Sequence, residues 1–357
     1  MTSQSTSRTM SRNFCSDNAA GASPEIIAAL GKAAQGAAMP YGADPLSERV
    51  LNRLADLFEI ELAAHFVATG TAANALALAS ACPPHGAIFC HLASHVNVDE
   101  CGGPEFFTGG AKLIDLDGAN GKLHAADLER ELGKGWSGVE HHVQPAVVSI
   151  TQASEAGTVY RLDEISEISE VCRTHGLALH MDGARFANAL ASLGCSAADA
   201  SWRAGVDVLS FGATKNGAMA AEAVLFFNPD MARDFRFRRK RAGHLFSKMR
   251  FLSAQWDAYL SDELWLRNAR HANDMARRLA DGLAALAAVA FLYPVEANEI
   301  FVTLPGAVRD ALFAEGFAFY PWVDGGPDCY RLVTAFDTDP EEVNAFIDVA
   351  RGVSANG

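Results

Sequence analysis

Leu177-Ala-Leu-His-Met-Asp182-Gly-Ala-Arg185 is the stretch on which the reading of the chain turns. Apart from His180 it opens on consecutive apolar residues, the pattern of a strand covered on both faces, and it ends abruptly in an acid and a glycine. In an open α/β sheet, ligands bind just beyond the carboxyl ends of the strands, so Asp182 stands where a ligand would be met. Asp-Gly is also a common turn, and taken alone the segment supports both readings.

Similar runs flank it on both sides. Residues 64–68, 87–91, 112–116, 146–150, 206–211 and 223–227, with 177–181, read as strands. Helical stretches at 71–80, 125–132, 162–175 and 185–193 lie between them. The alternation predicts an α/β fold built on a mainly parallel seven-stranded sheet with helices on both faces. Past about residue 230 the pattern changes to a long helical region, roughly 244–288. Strands at 299–304, 317–321 and 330–334 follow, with helices at 308–315 and 340–351. The chain's 357 residues exceed what one hydrophobic core usually holds. The expected organisation is a short disordered tail (1–13), a large domain (14–250) and a smaller C-terminal α+β domain (251–357).

Composition narrows the function. A net charge of −14 argues against nucleic acid or an anionic membrane as partner. The longest near-continuous apolar run, 283–293, is too short to span a bilayer, and the Ser/Thr-rich N-terminus has no apolar segment of the secretory kind. The cysteines at 15, 82, 90, 101, 172, 195 and 329 include no Cys-x-x-Cys pair and no zinc-site spacing. Reduced thiols in a cytoplasmic protein without a metal site are expected.

Two further segments carry chemistry. Val206-Asp-Val-Leu-Ser-Phe211-Gly-Ala-Thr214-Lys215-Asn-Gly runs a strand into a glycine-containing turn bearing one lysine. A lysine held near a buried cleft can form a Schiff base, because desolvation frees its amine; one in a solvated loop does nothing of the kind. His65-Phe-Val-Ala-Thr69-Gly70-Thr71-Ala-Ala-Asn74 runs a strand into the start of a helix, whose free N–H groups favour a phosphate. An ordinary threonine cap would look the same. No Gly-x-Gly-x-x-Gly or Walker lysine is present, so a dinucleotide-binding oxidoreductase is a remote reading. Together the three segments bring a phosphate cradle, an acid and a lysine to successive strand ends. Pyridoxal 5'-phosphate needs all three: the lysine for its aldehyde, the acid for its pyridine nitrogen and the helix start for its phosphate.

With these residues in view, the chain resembles the L-threonine aldolases of the aspartate aminotransferase-like, fold type I group of pyridoxal-phosphate enzymes. The resemblance runs from Phe14 to the end. It rests on Ser16-Asp-Asn18, Tyr41-Gly-Ala-Asp-Pro45, Thr69-Gly-Thr-Ala-Ala-Asn74, Ser94-His95-Val-Asn-Val-Asp-Glu100, His180-Met-Asp-Gly-Ala-Arg185, Thr214-Lys215 and Arg331-Leu-Val-Thr. It implies cleavage of L-threonine, allo-threonine or a related β-hydroxy-α-amino acid such as phenylserine to glycine and an aldehyde. A β-eliminating lyase or aminotransferase acting on a small amino acid is the alternative, and a catalytically idle binding protein is a third reading.

The resemblance also implies roles. Lys215 would carry the cofactor and Asp182 would pair with its ring nitrogen. Gly70, Thr71 and Thr214 would hold the phosphate, and His95 would stack on the ring. Ser16, Arg185 and Arg331 would grip the substrate carboxylate. Tyr41 would reach in from a second subunit of a homodimer or homotetramer. The chain departs from the family where many relatives carry a second histidine: Ala153-Ser154-Glu155-Ala156-Gly157 puts Glu155 there. The base that takes the hydroxyl proton is therefore left open between His95, Glu155 and a water they hold. Asn216, after the lysine, is expected to alter the pocket, and the basic run 236–241 reads as a solvated helix face or a phosphate contact across a subunit boundary.

Overall fold

The computed structural model describes residues 12–354 apart from Ala287. Seven strands form one sheet: β1 (Ala63–Val67), β2 (Gly86–His91), β3 (Lys112–Leu116), β4 (Gln144–Thr151), β5 (Ala178–Gly183), β6 (Val208–Gly212) and β7 (Glu222–Phe226), in the order β1-β7-β6-β5-β4-β2-β3. The β2–β3, β2–β4, β4–β5 and β5–β6 pairs are parallel, and only β7 runs against its neighbours. The connection 213–221 is too short for the crossover that a parallel neighbour needs, so β7 returns antiparallel. That same short connection carries Lys215.

The α/β expectation holds, with local differences. β5 and β6 run on to Gly183 and Gly212, two and one positions past the expected ends, because pairing continues to Gly183↔Phe211 and Gly212↔Glu222. Helices Pro24–Ala33 and Pro45–Phe58, not expected, precede the sheet. Both begin with proline in the first turn, and Asp44 caps the second by accepting from Ser47 N at 2.9 Å. The region 244–288 resolves into Arg250–Leu260 and Leu264–Ala284, broken where Asp262 and Glu263 take positive φ. A second, antiparallel sheet joins β8 (Ala290–Phe291), β9 (Glu299–Thr303), β10 (Tyr320–Pro321) and β11 (Cys329–Val333) in the order β10-β11-β9-β8. The strand expected over 317–321 is shorter than read, since only Tyr320 and Pro321 pair with β11.

Two large apolar clusters sit under the two sheets. The first gathers Phe58, Phe186, Phe211, Trp256 and Tyr259, with the Phe211 and Trp256 rings 4.9 Å apart. Burying each such side chain stabilises by roughly 1.5–3 kcal/mol. This cluster reaches along the chain to Ala269, past the expected seam at 250/251, and the second begins at Met275 on the same helix. Phe14 belongs to the second cluster. Its carbonyl accepts from Val333 N at 2.9 Å, so the N-terminal segment crosses from the small sheet toward the large one. Residues 1–11 of the expected tail lie outside the described residues. Arg12 is held, donating from Nη1 to the Glu315 carbonyl at 2.7 Å.

Candidate active site

Beyond the carboxyl ends of β5 and β6 lies a cavity of about 350 Å³ lined by Gly70, Thr71, His95, Asp182, Thr214 and Lys215, among others. The three chemistry-bearing segments therefore converge. A second cavity, about 430 Å³, adjoins it and shares Asn18, His95, Glu155 and Lys215; Ser16, Arg185 and Arg331 line its other side.

The lysine turn is nailed from below. Thr214–Asn216 form one turn of 3-10 helix, and Asn216 Nδ2 donates to Tyr259 Oη at 2.7 Å and to the Trp265 carbonyl at 2.8 Å. Asn216 is buried in the core and lines neither cavity, contrary to the expectation that it would alter the pocket. Its amide finds its partners among the aromatic residues beneath the turn. Gly217 closes the turn at φ +105°, where a Cβ would stand 2.3 Å from Ser23 Oγ.

The phosphate-cradle candidate has the required form. Helix Gly70–Ala81 is capped by Thr69, whose side chain accepts from Ala72 N and whose carbonyl accepts from Ala73 N. Of the first-turn amides, those of Gly70 and Thr71 are left over. A Cβ added at Gly70 would meet no protein atom within 4 Å. Thr214 instead turns its hydroxyl to Glu222, while accepting from Ala221 N at 3.2 Å.

Asp182 is positioned on both oxygens. Oδ2 accepts from Asn74 Nδ2 at 2.8 Å, and Oδ1 from Ala184 N at 3.0 Å. Asn74 Nδ2 also donates to Glu100 Oε1 at 2.8 Å, and that oxygen lies 2.9 Å from His95 Nδ1. The hydrogen bond to Glu100 holds the His95 imidazole above its usual range, against burial. Beneath Asp182, His180 spans three strands, bonding Ser149 Oγ at 2.9 Å and Ser210 Oγ at 3.0 Å. Burial takes His180 down to about 4, so it is a neutral structural rung.

Arg185 and Arg331 belong to a four-charge cluster. Arg185 grips Asp17 through Nε at 2.7 Å and Nη2 at 3.0 Å, and its Nη1 lies 3.0 Å from Glu299 Oε2. Arg331 holds Glu299 Oε1 through Nε at 3.0 Å and Nη2 at 2.7 Å. Burial works against an ionised Asp17, yet Arg185 and Lys215 outweigh it and hold the carboxyl at about 2. Burial likewise opposes the Arg185 charge, and Asp17 and Glu299 raise it. Arg331 remains the more exposed of the two arginines.

Ser16 caps the turn Asp17–Ala19, accepting from Asn18 N at 3.1 Å. Glu155 is half-buried, and burial pushes its carboxyl above the usual range while Lys215 works the other way. Tyr41 lines neither cavity; it is half exposed, with Lys240 Nζ 5.1 Å above its ring. The basic run falls on helix Phe235–Arg241, from which Arg239 reaches back to the Phe66 carbonyl at 3.4 Å.

Sequence reasoning passed over Asp17, Asn74, Glu100, Glu222 and Glu299 as site residues. All five are buried. Glu222 heads a strand that is otherwise apolar, and burial pushes its carboxyl up to about 7. An acid inside an apolar strand was the available signal, since acids are seldom fully buried without a partner. Among the described residues no helix is long and apolar enough to cross a membrane, and no three His, Cys, Asp or Glu side chains are grouped to hold a metal.

The sheet topology and its cleft define the fold of the pyridoxal-phosphate-dependent transferases. Leishmania major threonine aldolase has the same fold, with a TM-score of 0.90 and 29% identity over 96% of this chain and 99% of that one. The beta-eliminating lyase family model matches residues 13–306. A low specificity L-threonine aldolase of Pseudomonas aeruginosa is 47% identical over 93% of this chain and 95% of its own length. A second, from another Pseudomonas strain, is 44% identical over 96% and 98%. The chain belongs to the beta-eliminating lyase family, on its threonine aldolase branch, and that family depends on pyridoxal phosphate.

Proposed function

We propose that this protein is a pyridoxal-phosphate-dependent aldolase that cleaves L-threonine and related β-hydroxy-α-amino acids to glycine and an aldehyde. The observation that carries the reading is one cavity lined by an amine, a positioned carboxylate and an open helix start. The donor set fits the cofactor: Lys215 would hold its aldehyde carbon, Asp182 its ring nitrogen, and the Gly70 and Thr71 amides its phosphate. The open space at Gly70 is what a phosphate pressed against that backbone requires. Thr214, its hydroxyl donating to Glu222 and accepting from Ala221 N, would brace the turn beside the phosphate instead of donating to it. When bound, the cofactor supplies an electron sink for the bond broken at the substrate's Cα.

The chain's own residues do the rest. Arg331, the more exposed arginine, would fix the substrate carboxylate in the second cavity with Ser16, while Arg185, its fork held by Asp17, would add its positive charge. Anchoring there orients the Cα–Cβ bond for cleavage. His95 would face the cofactor ring. His95, or Glu155 with its raised carboxyl, would take the β-hydroxyl proton, directly or through a water. Tyr41 would complete the site of a second subunit in a homodimer or homotetramer. We place the enzyme in the cytoplasm, in keeping with seven free cysteines. We set the division between a large and a small domain along helix Leu264–Ala284, where the apolar clusters change over.

The test is direct. Purified enzyme should release glycine and aldehyde in equal amounts from threonine, allo-threonine or phenylserine, with no keto acid consumed or formed; a keto acid product would favour elimination or transamination. Lys215→Ala should lose both turnover and the cofactor's retention through dialysis. A variant that stayed yellow and active would remove Lys215 from its role.

A further inference from the structure

We propose that Glu100 is a positioning residue whose carboxylate fixes the His95 ring in the Nδ1–H tautomer, leaving Nε2 as the bare nitrogen that receives the substrate's β-hydroxyl proton. This rests on the aldolase reading above. It assigns the proton acceptor, which that reading left open, and it assigns a part to a residue outside the cavity lining.

Glu100 is fully buried at its side chain, and His95 is its sole ion-pair partner among the described residues. Both of its hydrogen bonds fall on one oxygen: Oε1 lies 2.9 Å from His95 Nδ1 and 2.8 Å from Asn74 Nδ2, while Oε2 has no partner. A carboxylate only accepts, so a ring nitrogen bonded to it must carry the hydrogen. A neutral imidazole has one such hydrogen, and Nε2 is then an acceptor. His95 lines both cavities, so its ring stands between the cofactor side and the substrate side.

Asn74 ties this pair to the rest of the site. Its amide nitrogen donates to Glu100 Oε1 and to Asp182 Oδ2 at 2.8 Å each. Two carboxylates on one amide settle its orientation, and Asn74 Oδ1 is left buried and unpaired. Leaving two polar atoms unpaired, Asn74 Oδ1 and Glu100 Oε2, costs stability. The cost is offset if the negative charge serves the imidazole.

As the Cα–Cβ bond breaks, the hydroxyl O–H bond breaks with it, and that electron pair becomes the second bond of the aldehyde carbonyl. The proton would move to His95 Nε2, and the bound cofactor would supply the sink for the Cα–Cβ electron pair. The ring becomes an imidazolium bonded to Glu100, the form its neighbours favour. Glu100, Asp182 and Glu155 raise its affinity for the proton, and burial opposes them. Lys215 lines the same two cavities.

Neutron diffraction from crystals of the cofactor-loaded enzyme at pD 8 tests the tautomer. Deuterium on His95 Nδ1 alone supports the assignment; deuterium on Nε2 alone, or on both nitrogens, overturns it. Kinetics test the consequence. The Gln amide in Glu100→Gln can donate to Nδ1 and select the opposite tautomer, so kcat should fall about ten- to a hundred-fold, the range seen when a metal-bound histidine loses the carboxylate that orients it. Cofactor absorbance should be unchanged. In a His95→Asn background the same substitution should cost little more. An unchanged kcat in the first case, or an equal loss in both backgrounds, overturns the proposal. If Glu100→Gln does not fold, the diffraction result decides alone. Failure of the aldolase reading would show separately, as wild-type enzyme that releases no glycine.

Discussion

Glu222→Gln offers a test whose size can be worked from the structure. Glu222 is buried beside the lysine turn, and burial raises its carboxyl from 4.5 to about 7. Below pH 4.5 the folded and unfolded chains both hold the proton, so the group has no pH-linked effect. Between pH 4.5 and 7 the unfolded chain releases a proton that the folded chain keeps, and stability falls as pH rises. Above pH 7 both forms are ionised and the penalty is complete. At 1.36 kcal/mol per pH unit, a rise of this size costs about 3 kcal/mol in full and about 1 kcal/mol at pH 5.5. Glutamine keeps an oxygen for the Thr214 hydroxyl and removes the titration. The stability of Glu222→Gln relative to wild type should therefore improve by about 2 kcal/mol between pH 5.5 and 7, then level off. Urea midpoints of the two proteins at pH 5.5, 7 and 8.5 measure this directly. A difference between variant and wild type that is flat across that range would refute a buried, proton-holding Glu222.

Two further substitutions probe the site. Arg331→Ala should raise KM for threonine at least tenfold, because each charge-assisted hydrogen bond to the substrate carboxylate is worth roughly 1.5–3 kcal/mol; steady-state kinetics with an unchanged KM would count against the assignment. Gly217→Ala meets a positive φ and Ser23 Oγ at 2.3 Å, so it should destabilise by about 1–3 kcal/mol and disturb the lysine turn. Thermal unfolding and cofactor absorbance would both register it, and a variant matching wild type in both would show that the turn has room to relax.

Lys215, Asp182 and the helix start at Gly70, the groups proposed to hold the cofactor, were readable because each closes a strand or opens a helix in a recognisable local pattern. Asp182 and Lys215 follow apolar runs, and Thr69-Gly70-Thr71 has the form of a cap. The residues that orient them were not readable. Asp17 meets Arg185 across most of the large sheet's sequence, and Asn74 meets Asp182 in the same way. Asn216 looked like a pocket residue because it follows the lysine, but the direction of its side chain depends on aromatic residues that arrive much later in the chain.

Sequence alone was enough to read the seven strands of the large sheet, its mainly parallel core and the three candidate groups that converge on one cavity, since periodicity and end signals are local properties of the chain. Only the folded chain decided which acids share which arginine, that Glu100 stands behind His95, and that Arg185 spends its fork on Asp17. Such pairings form between residues distant in sequence, where burial removes competing water and makes each buried charge find a partner.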